Sequence, residues 1–147
     1  MNKRQKVSRR VSLATGELDL SVDDDLKHSQ ILVTETYLLH RLSPEYQLLI
    51  VGMGEITRYL AEIVQSADFT VTVCEPRQKY ITRSGGVDGS YEILNCLPDD
   101  LVVDKFNDEY SAIVALAHDP RVDDLAIIAA LESKAFYIGA MGSKLTS

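Results

Sequence analysis

The chain has 147 residues, of which 46% are hydrophobic and 25% charged, and its formal net charge is −7. That length supports one modest core, and that charge argues against a nucleic-acid backbone as the main partner, because binding many phosphates needs a concentrated basic surface. No apolar run approaches the roughly 18 residues of a membrane span, so neither nucleic acid nor membrane is expected as a partner.

The basic start (Lys3, Arg4, Lys6, Arg9 and Arg10) is not followed by the continuous apolar stretch of a secretion signal, and reads as a solvated arm. Val7 to Ser21 forms two short alternating segments around Thr15-Gly16, the pattern of a hairpin. Asp23, Asp24 and Asp25 break that pattern and read as a solvated loop. Ile31 to Tyr37, rich in β-branched and aromatic residues, predicts a strand, and Leu42-Ser43-Pro44 a turn. Residues 1–46 are therefore expected to be a short β-rich segment preceding the main domain, residues 47–147.

From Gln47 the pattern alternates between strands and helices, as in a parallel sheet. Leu48-Leu49-Ile50-Val51 is the continuous apolar run of a strand buried on both faces. Ile56, Tyr59, Leu60, Ile63 and Val64 recur at helical spacing over Ile56 to Ser66. Further strands are predicted at Thr70 to Cys74, Tyr91 to Asn95, Ala112 to Ala117 and Ala135 to Ile138. Between the last two, Asp123 to Leu131 reads as a helix with Leu125, Ile128 and Leu131 on one stripe. Right-handed crossovers then favour a doubly wound, Rossmann-like α/β sheet in the order 3-2-1-4-5, with a ligand crevice beyond the carboxyl ends of the strands at the switch point. An open sheet leaves an edge, so homo-oligomerisation is also expected.

Gly52-Met53-Gly54-Glu55-Ile56-Thr57 supplies the glycine turn. Gly52 permits the tight exit from the strand, Gly54 lets a phosphate approach the backbone, and the helix start offers free N–H groups and a positive dipole end. Thr57 stands where Gly or Ala usually allows close helix–sheet packing. Glu75 ends the second strand, where an acidic side chain would bind ribose hydroxyls. Arg77 is placed either to meet a base or phosphate or to stand as an exposed loop arginine. His118-Asp119-Pro120 follows the fourth strand: either His118 touches the ligand, or it shapes the turn while Asp119 and Pro120 start the next helix. Gly139 and Gly142 lie in a second glycine-bearing turn, which either approaches the crevice or only needs positive φ.

Cys74 and Cys96 make neither a disulfide framework nor a metal-ligand spacing, so no metal site is expected and a reducing, cytoplasmic setting fits. Cys74 reads as a small core residue, and no base is placed beside either thiol, so no catalytic residue is assigned.

Four stretches together resemble a known family. They are Leu48-Leu49-Ile50-Val51-Gly52-Met53-Gly54, then Val71-Thr72-Val73-Cys74-Glu75-Pro76-Arg77, then Ala117-His118-Asp119-Pro120 with Asp123-Asp124, and finally Ala135 to Ser143 (AFYIGAMGS). They look like the C-terminal Rossmann-like domain of the XdhC/CoxI family, the xanthine dehydrogenase accessory proteins. The resemblance implies a cofactor-handling accessory protein rather than a dehydrogenase. It implies binding of the molybdenum cofactor (molybdopterin), with a molybdenum hydroxylase apoenzyme and a sulfur donor as partners. The positions it carries over are Gly52, Gly54, His118, Asp119, Gly139 and Gly142. The chain departs from the family pattern at Glu55 (commonly His), Thr57 (commonly Ala) and Glu75 (commonly Asp). Relatives usually extend at both ends, so a shortened relative or a fragment is expected. The glycine turn and Glu75 by themselves also fit an NAD(P)-dependent oxidoreductase or a nucleotide-sensing regulatory domain. The first of these lacks an evident substrate domain here, and the second does not share the His-Asp-Pro and Tyr-Ile-Gly features.

Overall fold

The computed structural model describes residues 4–23, 29–83 and 90–142. The chain divides into two compact units, Met1–Pro44 and Glu45–Ser147. In the first, strands β1 (Val7–Ser12), β2 (Leu18–Val22), β3 (Gln30–Val33) and β4 (Tyr37–Leu42) form an antiparallel sheet in the order β2-β1-β4-β3. The expected hairpin around Thr15-Gly16 is present: β1 pairs with β2, and Gly16 takes φ of +71° in the turn.

Two expectations for this unit are corrected. Ile31 to Tyr37 is not one strand but the end of β3, a turn and the start of β4. The Thr34 hydroxyl accepts from the Tyr37 N–H at 3.1 Å, and the Thr34 N–H donates to the Tyr37 carbonyl at 2.9 Å. A side chain that bonds its own backbone in this way competes with the ladder and favours a turn. Asp23 is not a solvated loop residue: its carboxylate accepts from Ser8 Oγ and Arg41 Nε, each at 2.7 Å. Asp24 and Asp25 lie outside the described residues.

The second unit is an α/β domain. Its parallel sheet comprises β5 (Gln47–Val51), β6 (Thr70–Cys74), β7 (Glu92–Leu94), β8 (Ser111–Ala115) and β9 (Tyr137–Ala140), in the order β7-β6-β5-β8-β9. This is the doubly wound order expected from the crossover rule. The helices are α1 (Glu55–Gln65), α2 (Gln78–Arg83), α3 (Pro98–Lys105) and α4 (Pro120–Leu131). α2 and α3 have no counterpart in the sequence reading. α3 starts at Pro98, a residue preset for the first helical position, and buries Leu101 and Val102. No helix among the described residues is long and apolar enough to cross a membrane.

Successive β5 residues serve opposite faces. Leu49 and Val51 join Val102, Phe106 and α4 on one side, while Leu48 and Ile50 join Ala61 of α1 and Val71 and Val73 of β6 on the other. The helix faces differ from the predicted ones. α4 turns Val122, Ala126 and Ala130 inward, whereas Leu125, Ile128 and Leu131 are 40%, 59% and 69% exposed. α1 buries Thr57 and Ala61 and exposes Ile56, Tyr59 and Ile63, while Leu60 and Val64 of the predicted stripe do pack against the core. Small residues at i and i+4 let a helix backbone approach the sheet closely, and close packing chose them over the bulkier stripe.

β9 also runs about two residues later than the predicted Ala135 to Ile138, because Ser133 closes a turn by accepting from the Ala135 N–H at 3.2 Å. At the amino edge of the sheet four aromatic rings meet, each from the residue just before a strand. Tyr46 lies 5.4 Å from both Phe69 and Tyr110 and 5.5 Å from Phe136, in stacked, tilted and edge-on geometry respectively.

Candidate functional site at the carboxyl edge of the sheet

β5 delivers the chain to Gly52, whose φ is +103°. A Cβ there would lie 2.4 Å from Ala117 Cα, so the turn after β5 is pressed against the turn after β8. The Gly52 N–H donates to the Cys74 carbonyl at 2.8 Å, and the Leu116 N–H donates to the Val51 carbonyl at 2.7 Å. Three strand ends are thereby tied at the switch point.

Gly54, the N-cap of α1, is in extended backbone, and a Cβ on it would meet nothing within 4 Å. It offers no capping side chain, so the first-turn N–H groups of α1 are left without a side-chain cap. Thr57 faces the other way. It is buried against the sheet with its hydroxyl donating to the Gly52 carbonyl at 2.8 Å, and so packs the helix rather than lining the opening.

Glu75 is fully enclosed at 0% exposure, and both its oxygens are committed. Oε2 accepts the Met53 N–H at 2.9 Å and Arg77 Nη2 at 3.0 Å; Oε1 accepts the Arg77 N–H and Nε, each at 2.8 Å. Burial pushes this carboxyl up, but the Arg77 bonds and the Met53 N–H outweigh it and hold the group below the ordinary carboxylate range. The expected role of Glu75 as a ribose acceptor is therefore replaced, in this geometry, by bracing the glycine turn and Arg77.

Arg77 is no free loop arginine. It bridges β6 to the turn after β8, donating to the Ala117 carbonyl at 3.3 Å and approaching Asp119 Oδ2 at 3.7 Å. Its guanidinium stacks 4.1 Å from the Tyr80 ring, and its bond to Glu75 raises its proton affinity further. Tyr80 and the Met53 N–H are the two parts of this cluster that sequence reasoning missed. The position of Tyr80, three residues after Arg77 and on the short α2, was the available signal.

Asp119 caps α4, accepting the Arg121 N–H at 3.1 Å, and Pro120 occupies the first turn, as one of the two readings of this motif predicts. The Arg121 side chain is the main cause that holds the Asp119 carboxyl low. Asp123 reaches back to accept the Ala117 N–H at 3.0 Å. His118 is exposed and takes φ of +54°, a left-handed conformation uncommon for a residue with a side chain.

The second glycine-bearing turn is corrected. Gly139 lies inside β9, paired with Val114, and the Tyr137 ring sits over it, 3.0 Å from where a Cβ would be. Gly142 is exposed just beyond the strand. The fold thus gathers Gly52, Gly54, Glu75, Arg77 and Asp119 around the switch point, with His118 beside them; Thr57 lies beneath, and Gly139 is a strand residue. Among the described residues there is no group of three or more His, Cys, Asp or Glu side chains suited to a metal ion.

The open space at Gly54 faces a helix N-terminus, but the acidic group that would recognise a ribose is spent internally.

No curated protein matches the chain. Among solved structures it is similar to a xanthine dehydrogenase from Bacillus halodurans, with 19% identity and a TM-score of 0.64. That similarity covers 97% of this chain and 48% of the other, so the chain spans about half the length of that protein and shares its fold. The XdhC Rossmann domain matches residues 48–147, which takes in all of the parallel sheet but Gln47, and every residue of the carboxyl-edge site; the chain belongs to that family.

Proposed function

We propose that this protein is an accessory factor of molybdenum hydroxylase maturation that holds the phosphate end of the molybdenum cofactor at the start of α1. The observation that carries the reading is the open volume at Gly54 in front of unpartnered first-turn N–H groups. Membership of the XdhC Rossmann domain family and the likeness to a xanthine dehydrogenase give it its context.

The cofactor brings a terminal phosphate; the chain's own residues bind and orient it. Gly54 keeps the approach clear, the α1 N-terminus supplies donors, and Arg77 is the cation paired with Glu75 beside the glycine turn. Asp119 and His118 stand in the turn after β8, where Asp119 approaches Arg77. A molybdenum hydroxylase apoenzyme and a sulfur donor are the partners this role requires, and self-association is part of the same proposal. The commitment of Glu75 to Arg77 disfavours the NAD(P) reading, because ribose recognition would have to break that pair.

The test is an anaerobic titration of the folded chain with molybdopterin, beside NADH and NADPH. Saturable binding of molybdopterin is expected, with little effect of the nicotinamide nucleotides. Gly54→Val should weaken that binding by roughly ten- to a hundredfold, the loss of charge-assisted hydrogen bonds worth about 1.5–3 kcal/mol. Its extended backbone accepts a side chain, so the melting temperature should hardly move. A folded wild-type chain that ignores molybdopterin, with or without the apoenzyme, removes the proposal; saturable NADH binding in its place moves the protein to the oxidoreductase class.

A further inference from the structure

Cys74 ends β6, and Cys96 lies two residues beyond β7. Cys74 pairs in register with Leu94, so the alternation of the strand returns Cys96 to the same face, and both thiols belong to one core layer. Their sulfurs are 3.8 Å apart, and the Cys74 thiol donates to the Cys96 carbonyl at 3.1 Å. Neither sulfur takes part in the ligand site described above. We propose that Cys74 and Cys96 form a redox-active dithiol, which hydrogen peroxide closes to an intramolecular disulfide that staples the β7–α3 loop to the end of β6, one residue from Glu75.

A disulfide needs the sulfurs to close by roughly 2 Å. The segment that must give is the irregular stretch between β7 and α3, not a strand. The two thiols differ in a way that sets the order of events. Cys96 is half-buried and within reach of solvent, whereas Cys74 is fully buried and its thiol is pushed up, first by burial and then by the neighbouring sulfur. Cys96 therefore attacks the peroxide: a sulfur–oxygen bond forms, the oxygen–oxygen bond breaks, and the first water leaves. Cys74 then attacks the sulfenic sulfur: the sulfur–sulfur bond forms, the sulfur–oxygen bond breaks, and the second water leaves. The two sulfurs are oxidised by one electron each, the peroxide takes both electrons, and the two thiol protons end in water.

The staple would bear directly on the crevice wall. The Glu75 N–H donates to the Leu94 carbonyl at 2.9 Å, and Asn95 Nδ2 donates to the Glu75 carbonyl at 2.8 Å, so the loop to be locked already holds the Glu75 backbone. Transient disulfides of this kind are the form that sensing takes in a reducing compartment.

The experiment treats the full chain, reduced and freed of reductant, with stoichiometric hydrogen peroxide. The expected product is a monomer lighter by two hydrogens, with both thiols lost together. A linked Cys74–Cys96 peptide should appear and dithiothreitol should separate it. Melting should rise by several degrees on oxidation and fall back on reduction. Cys74→Ser should instead accumulate a sulfenic acid on Cys96 that dimedone traps, and Cys96→Ser should leave Cys74 unreactive at the same dose. Sulfinic acid on Cys96 with the Cys74 thiol intact in the wild-type chain overturns the proposal, and so do disulfides formed only between chains. Should Cys74→Ser not fold, the wild-type and Cys96→Ser arms decide the matter without it.

Discussion

Leu18, Leu20 and Val22 on β2 of the antiparallel sheet are 57–60% exposed, whereas Leu48 to Val51 on β5 of the parallel sheet are at most 4% exposed. Both stretches would pass for good strands by composition. The first is held by its ladder and by the Ser8–Asp23–Arg41 bonds at its end; the second is held by burial on both faces. Apolar content thus fixes where a strand can form, while the layer above it fixes how much that strand contributes to stability. A site that must hold backbone groups in place is better built on the second kind of sheet, and the glycine turn is.

The largest effect should come from the point where two strand ends touch. Gly52→Val places a Cβ 2.4 Å from the Ala117 backbone on a residue at positive φ, and we expect a loss of about 4 kcal/mol or more, read as failure to fold or a collapsed urea midpoint. Next, Ile50→Ala empties a fully buried position and should cost about 2–5 kcal/mol in denaturant unfolding. The matching change in the other sheet, Ile31→Ala at an exposed position, should stay within about 0.5 kcal/mol. If the two costs proved similar, the contrast between the sheets would be broken.

Arg77→Ala removes the cation from an enclosed carboxylate. The cost should be about 2–4 kcal/mol, somewhat below that of a fully buried pair because the Arg77 side chain is 19% exposed. Its pH dependence sharpens the point. In the wild type the Glu75 carboxyl sits below its unfolded value, so its stabilisation is present above a pH of about 4.3 and is lost as pH falls through the lower folded value. In the variant, burial is opposed only by the backbone N–H groups of residue 77 and Met53, so the carboxyl sits higher than in the wild type and its ionised form is less well held at neutral pH. The gap between the two proteins should therefore be widest near neutrality and narrow on acidification, in melts followed across pH. Apart from the Ile31→Ala control, the smallest effect is expected at His118→Gly, where relief of the left-handed backbone is partly offset by glycine's added freedom in the unfolded chain. A gain of about 0.5–1 kcal/mol should appear in the same assay.

The order of the parallel sheet was legible because apolar runs of strand length alternate with helical periods, and the crossover rule leaves few ways to connect them. The helix faces were not legible. Leu125, Ile128 and Leu131 look like a core stripe by hydrophobicity, but Ala126 and Ala130 win because a close helix–sheet approach admits only small side chains. Ile31 to Tyr37 misled for a different reason, since Thr34 fits a strand and a turn equally well until its hydroxyl finds the Tyr37 backbone. Of the site, Gly52, Gly54 and Asp119 were readable as local turn and cap chemistry. The commitment of Glu75 was not, because the Met53 N–H that completes it lies 22 residues away in sequence.

The four rings at the amino edge bear on how the domain comes apart. Tyr46, Phe69, Tyr110 and Phe136 come from positions scattered along most of the domain, and they meet only when four strands are aligned. Such a contact is complete only near the end of folding, so its loss should fall on the unfolding rate rather than the folding rate. Tyr46→Leu should then shorten the lifetime of the native state while leaving its rate of formation nearly unchanged. The cluster thus acts as a kinetic clasp at the edge of the sheet opposite the site.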